Sequence, residues 1–321
     1  MTTVRAGDQL DHYHIDSLVA RSGMASIFRA TDTRTGKQVA LKVPHPEVEA
    51  DPVFYDRFKR EQEIGTQLDH PGVMKVFSDK DRTGIFMVME WVEGRLLREI
   101  MREAGRLDPE RAAKIVAGIC EALEYIHHHG VVHRDLKPEN VMVDANDHVK
   151  LIDFGIAGQE GARRLTFAKL TNLMGTPDYI SPEQVKGKRG DARSDVYSLG
   201  VMLYEMLTGQ VPFRGPNAFA IMNDRLLNNP VPPRELNPAI SPQLQEIIYR
   251  AMERDPKNRY GSARELAWDL LHQDDVGVTD REELTTWKKR RSPWYRAALF
   301  YAMVALIPVV VFALLFYVAR H

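Results

Sequence analysis

Short strand-like runs occupy the first ninety residues on either side of one helical stretch, and from Leu96 apolar positions recur every three to four, so a strand-rich part is followed by a helical one. Strands are predicted at Tyr13–Val19, Ser26–Ala30 and Gln38–Val43, with Asp32 to Gly36 as the second turn. Val73–Phe77 and Ile85–Met89 complete a five-stranded sheet. Between Val43 and Val73, Asp51-Pro52 reads as N-cap and first helical residue, opening a helix to about Leu68 whose inward stripe is Phe54, Phe58, Gly65 and Leu68. Glu61 falls within that stripe, three residues after Phe58. Glu63 lies about 200° away from Glu61 around the helix.

From Leu96 the period is helical. Asp108-Pro109-Glu110 supplies a cap, a first-turn proline and a first-turn acid, ahead of a buried stripe of Ala112, Ile115, Val116, Ile119, Leu123 and Ile126. Val131-Val132, Val141 to Val143 and Val149 to Ile152 are strand-like, and Asp144 to Asp147 is turn chemistry between the last two. Asp195 to Thr208 is apolar nearly all round and Gly209 stops it, which predicts a buried central helix. Ser241-Pro242 caps a helix through Ala251, and a last one runs from Ser262 to about Leu271.

Composition narrows the class only in places. The chain has 321 residues, enough for one large or two small domains plus an appendage, and its 43 basic and 44 acidic residues give no global charge that would point to nucleic acid. The single cysteine, Cys120, excludes an intramolecular disulfide and shares a helical stripe with Ala112, Val116 and Leu123, so it reads as core. The first thirteen residues carry no apolar run of a secretory signal. Near the other end, Asp274 to Thr286 is a polar linker, Trp287 to Arg296 is aromatic and basic, and Ala297 to Ala319 holds no charge. As a helix that last stretch would cover about 34 Å, enough for a hydrocarbon core. A buried core helix is the alternative; the aromatic and basic flank favours a membrane interface, and Pro308 marks a kink. Five basic residues precede the stretch and Arg320 and His321 follow it, so the bulk of the chain is expected in the cytoplasm, with no external sensor domain.

The chemistry concentrates between Tyr125 and Gly155. Two polar loops, His133-Arg134-Asp135-Leu136-Lys137-Pro138-Glu139-Asn140 and Asp153-Phe154-Gly155, are joined by the two hairpin strands, which can bring their side chains to one end. Asn140 and Asp153 offer the hard oxygen ligands that Mg²⁺ prefers. Asp135 can accept a hydrogen bond from an attacking hydroxyl, and Lys137 can neutralise a transferring phosphoryl group. His127-His128-His129 would be a metal cluster only if three consecutive side chains converged, which a helix end does not allow.

H-R-D-x-K-x-x-N followed by D-F-G, with Ala40-Leu41-Lys42-Val43 on the third strand, resembles the eukaryotic-like serine/threonine protein kinases of bacteria over residues 13 to 272. The resemblance implies an α+β, two-lobed kinase fold. Its small lobe, 13–90, would have five strands and one helix, and its large lobe, 95–272, would be mostly helical. Residues 1–12 would be a lead, 273–296 a juxtamembrane linker and 297–319 a transmembrane helix. It implies ATP with Mg²⁺ or Mn²⁺, held by Val19, Ala20, Ser22, Gly23, Met24, Ala25 and Ile27 in the first turn, by Lys42 with Glu61, and by the backbone of Glu90 and Val92. Met89 would gate the pocket behind the adenine, and Trp91 would pack at the interlobe connection. In the first turn Ala20, Ser22 and Ala25 stand where kinases place glycines, so only Gly23 keeps the pattern.

Asp135, Lys137 and Thr176 would be catalytic, Asn140 and Asp153 metal ligands, and Glu183 with Arg259 a structural ion pair. Arg134 would pair with a phosphate on Thr166 or Thr171. Protein substrates, membrane lipid and a homodimer are the implied partners, with no nucleic acid. Two other readings stay open, a membrane-bound pseudokinase and a small-molecule kinase of the same fold.

Overall fold

The computed structural model describes residues 4–46, 51–79, 81–153 and 177–281. The expected membrane helix, Thr166, Thr171 and Thr176 lie outside the described residues. The chain divides into two units, Met1–Val278 and Thr279–His321, and every element below belongs to the first. Among the described residues no helix is long and apolar enough to cross a membrane.

The small lobe is a sheet of six strands, not five. In chain order these are β1 (Gln9–Leu10), β2 (Tyr13–Arg21), β3 (Ala25–Asp32), β4 (Gln38–Pro44), β5 (Val76–Phe77) and β6 (Met87–Glu90), arranged β1-β2-β3-β4-β6-β5. The additional strand comes from the residues expected to be a lead. Gln9 and Leu10 pair antiparallel with His14 and Tyr13 across Asp11, which takes a positive φ of 52°, and two residues are too few to show a period.

Alternation along β4 builds the two faces of this sheet. Val39 and Leu41 join Tyr13, Ile15, Phe28 and Phe86 on one side. Ala40 turns to the other, where Phe58, Met74, Val76, Met87 and Met89 are buried. Helix α1 (Pro52–Gly65) supplies Phe58 to that second side and ends three residues before the expected Leu68. Gly65 explains how closely it packs, because a Cβ there would come within 2.4 Å of the Val76 side chain.

The large lobe begins with β7 (Arg95–Leu96), α2 (Leu97–Ala104) and α3 (Pro109–His128). Asp108 caps α3, its carboxylate accepting from the Glu110 and Arg111 amides at 2.9 and 3.2 Å. Strands β8 (Val141–Val143) and β9 (Val149–Leu151) follow and pair with β7 in a three-stranded sheet. After residue 176 come α4 (Pro182–Val185), α5 (Ala192–Thr208), α6 (Ala218–Leu227), α7 (Pro233–Leu236), α8 (Pro242–Ala251) and α9 (Ala263–Leu271). Helix α5 is buried almost throughout, and Gly209 at φ 71° ends it in the left-handed conformation. The apolar core gathers around it from α3, α8 and α9, and includes Cys120 at 0% exposure.

Two expected strands differ. Val131-Val132 belongs to no strand, its Val131 N–H spent on Ile126 O at 2.9 Å just past the end of α3. Val73 and Met74 leave the small-lobe sheet and bond across to the large lobe. Met74 N donates to Leu151 O at 2.8 Å and Leu151 N to Gly72 O at 2.9 Å.

Candidate active site

Lys42 shares the α1 side of β4 with Ala40, and the helix brings Glu61 to meet it. Lys42 Nζ lies 2.6 Å from Glu61 Oε1 and 3.5 Å from Asp153 Oδ1. Glu63 on the same helix is exposed. Burial works against all three charges. For Lys42 the carboxylates of Asp153 and Glu61 outweigh it and hold the ammonium above its ordinary range. Lys42 likewise keeps Asp153 below the ordinary carboxylate range, whereas burial prevails at Glu61 and pushes its carboxyl up. Two carboxylates therefore compete for one ammonium.

A path of hydrogen bonds joins this cluster to the catalytic-loop residues. Ile152 N, next to Asp153, donates to Asn140 O at 3.0 Å. The Asn140 side-chain amide donates to Asp135 O at 2.8 Å, and Lys137 Nζ lies 2.6 Å from Asp135 Oδ2. Because the Asn140 NH₂ is committed to that carbonyl, its amide oxygen is the atom that can serve as a ligand.

Asp195 fixes the backbone of the same loop, a role its local sequence signalled only faintly. It is fully buried at the start of α5, where its carboxylate accepts from His133 N at 2.9 Å, Arg134 N at 2.7 Å and, at 2.7 Å, pairs with His127 Nε2. Arg134 takes a positive φ of 64°, a conformation costly for a side-chain-bearing residue unless its surroundings enforce it. The one signal was an acid inside an otherwise apolar helix. The three consecutive histidines diverge: His127 goes to Asp195, His128 to Glu124 O and His129 to Tyr125 O.

The turn between β2 and β3 is fastened by Ser22. Its hydroxyl oxygen accepts from Met24 N at 3.3 Å and Ala25 N at 3.1 Å, while its O–H reaches Ala25 O at 3.0 Å. Val19 and Ala20 lie at the end of β2, Ala25 and Ile27 in β3. Gly23 needs no glycine here, since a Cβ would meet nothing within 4 Å. At the interlobe connection Glu90 N donates to Lys75 O at 2.9 Å, so its amide is already engaged, and its carboxylate holds Lys150 at 2.6 Å. Val92 follows two residues later. Trp91 donates to Glu93 Oε1 at 2.9 Å and lies under the Arg29 guanidinium. Met89 is buried.

Farther along, Arg259 grips Glu183 through two nitrogens at 2.8 and 2.7 Å, and Ser194 Oγ donates to the same carboxylate at 2.6 Å. These partners outweigh burial and bring the Glu183 carboxyl down to about 2. Gln184 beside it donates to Arg134 O at 3.0 Å, which ties α4 to the catalytic loop. Arg225 of α6 is 1% exposed and donates to the carbonyls of Pro177 and Asp178. Sequence reasoning missed it, as it missed Arg98, whose partners come from three separate elements.

Comparison with known proteins bears on the family and the fold. A family model described as protein kinase domain matches residues 13–271. A probable serine/threonine-protein kinase SCO3848 of Streptomyces coelicolor is 40% identical over 275 residues, which are 83% of this chain and 41% of that protein. The serine/threonine-protein kinase PknB of Mycolicibacterium smegmatis is 37% identical over 287 residues, 88% of this chain and 46% of the relative. This chain thus spans less than half the length of these curated relatives. The crystal structure of the Mycobacterium tuberculosis PknI kinase domain superposes with a TM-score of 0.66 at 27% identity, covering 84% of this chain and 100% of that domain. With a catalytic loop, a lysine–glutamate pair and a two-lobed fold of this kind, the chain belongs to the protein kinase family and carries a kinase domain of the bacterial serine/threonine type.

Proposed function

We propose that the protein transfers the γ-phosphoryl group of ATP to serine or threonine hydroxyls of proteins. The observation that carries this reading is the continuous path from Lys42 and Asp153 through Asn140 to Asp135 and Lys137. Lys42, steadied by Glu61, binds the α and β phosphates, with the Ser22 turn above and the backbone of Glu90 and Val92 at the adenine. Asp135 orients the attacking hydroxyl and accepts its proton as the new bond to phosphorus forms and the bond to the ADP oxygen breaks. Lys137 neutralises the transferred group, with Thr176 bonding to Asp135 and Lys137.

The carboxylate of Asp153 and the amide oxygen of Asn140 are a donor set suited to Mg²⁺, with Mn²⁺ as an alternative. Held by these two residues, such an ion would supply positive charge that neutralises charge developing on the phosphoryl group.

Residues 287–319 support a membrane tether, a basic and aromatic flank before an uncharged span, with membrane lipid as its partner and the kinase domain in the cytoplasm. Domain limits follow the same reading: 13–272 catalytic, 273–296 linker, 297–319 anchor. Tethering raises local concentration, so neighbouring molecules, as transient homodimers, phosphorylate one another at Thr166 or Thr171, and Arg134 receives the phosphate.

One observation favours a second reading, a nucleotide-binding pseudokinase: the Ser22 hydroxyl occupies the Met24 and Ala25 amides that a phosphate would otherwise approach. Full-length protein incubated with labelled ATP, Mg²⁺ and a generic protein substrate decides between them. Incorporation into the substrate and into Thr166 or Thr171, located by mass spectrometry, is expected; nucleotide binding without incorporation would establish the pseudokinase.

A further inference from the structure

Beside Asp135 and Lys137 the large lobe holds a cavity of about 300 Å³, with Arg98, Glu139 and Tyr179 in its wall. Arg98 projects from α2, Glu139 belongs to the catalytic-loop turn, and Glu205 stands behind them on α5. Arg98 Nε donates to Glu139 Oε1 at 2.7 Å, and one terminal nitrogen donates to Glu205 Oε1 at 2.9 Å. The other terminal nitrogen donates to the Tyr179 hydroxyl, which itself donates to Glu205. The guanidinium also lies 5.7 Å from the Tyr179 ring centroid. Against the burial that opposes its charge, Glu139, Tyr179 and Glu205 hold Arg98 above its ordinary range.

A hydroxyl delivered to Asp135 brings its neighbours in an extended peptide along at about 3.3 Å per residue. A side chain one to three positions from the acceptor therefore reaches this cavity. Glu139 in the wall and Glu205 behind it, left alone, would select a lysine or arginine there through charge-assisted hydrogen bonds. Arg98 already fills that role from within the chain. An incoming cation would have to displace it from three partners and would meet its charge on the way.

We propose that Arg98 is a specificity-determining residue, an internal cation seated where a basic substrate side chain would pair, so that the enzyme selects peptides with an uncharged side chain at that position. This deepens the kinase reading and rests on it.

The test uses full-length protein in detergent and peptides that differ only by Ala, Leu, Glu, Lys or Arg at each of three positions on either side of the acceptor. The wild type is expected to favour the uncharged peptides. Arg98→Ala is expected to raise kcat/KM for a peptide with Arg or Lys at one position, relative to its Ala counterpart, by about ten-fold, mostly through KM. Arg98→Lys keeps the wild-type order, and Glu139→Gln added to Arg98→Ala removes the new preference. A purely structural role would lower transfer to every peptide alike. Should Arg98→Ala melt too early to assay, Arg98→Gln, which removes the charge and retains donors, carries the same expectation. An unchanged peptide order in both charge-removing variants overturns the role of Arg98 while leaving the kinase reading intact. Failure of the wild type to phosphorylate any peptide or generic protein overturns both.

Discussion

Asp195 holds Arg134 in a left-handed backbone conformation: the Arg134 N–H donates to Asp195 Oδ1 at 2.7 Å while φ stands at 64°. The acid is fully buried, so its charge is compensated only by the groups it binds. Asp195→Asn keeps the volume but replaces one acceptor oxygen with a donor facing other donors. A loss of about 3 kcal/mol is expected, lowering the melting midpoint by roughly 5–10 °C. Phosphoryl transfer should fall further than nucleotide affinity, because the displaced backbone carries Asp135. A variant with wild-type transfer would refute this link.

Asp135 and Asp153 should fail in different ways. Asp135→Asn is expected to reduce transfer at least a hundred-fold with nucleotide affinity retained, since the lost interaction forms with the hydroxyl. Asp153→Ala removes one of the two carboxylates around Lys42 and should weaken Mg-ATP binding itself. Nucleotide titration and labelled-phosphate incorporation on both variants separate the defects; substantial transfer by Asp135→Asn would remove it from the assigned role.

Ser22→Gly releases the Met24 and Ala25 amides from the hydroxyl that now engages them. Nucleotide affinity is expected to rise several-fold as the backbone becomes free to approach phosphate oxygens. Equal or weaker affinity on titration would mean that the fastened turn already serves.

The Glu183–Arg259 pair predicts a pH dependence of stability. Glu183 sits at about 2 when folded against an ordinary value of 4.5, so the unfolded chain binds the proton more tightly. Its contribution, about 3 kcal/mol, is complete above about pH 4.5 and declines as pH falls toward 2. In urea unfolding, the stability difference between wild type and Glu183→Gln should shrink by at least half from pH 7 to pH 3. A difference that stays constant over that interval argues against the linkage.

Fractionation tests the tether. The full chain is expected in membranes, and a chain ending at Thr286 in the soluble fraction with an unchanged melting midpoint. Full-length protein that stays soluble without detergent would defeat the proposal.

Much of this arrangement was legible because it is local. The stripe from Ala112 to Ile126, the cap at Asp108 and the stop at Gly209 depend on neighbours within a few turns, and β8 and β9 are joined by a short turn. Spacing also separated Glu61 from Glu63, since the two differ in helical face. What escaped depends on partners far along the chain. Arg98 binds groups 41 to 107 residues away, and Arg225 binds carbonyls 47 and 48 residues back. Val73 and Met74 have the β propensity expected of them, yet their pairing is with Leu151, and no local pattern contains that choice.

That last contact sets how the lobes can turn. Besides the chain passage at residues 91–94 and the side-chain pairs Lys42–Asp153 and Glu90–Lys150, the bonds of Gly72 and Met74 with Leu151 are a second backbone crossing between them. A rotation that preserves both backbone crossings must take place about the line through them. Asp153 follows one of those crossings in the chain, two residues beyond Leu151. The Ser22 turn, between β2 and β3, belongs to neither crossing, so an opening about that line for nucleotide exchange is expected to move it more than Asp153.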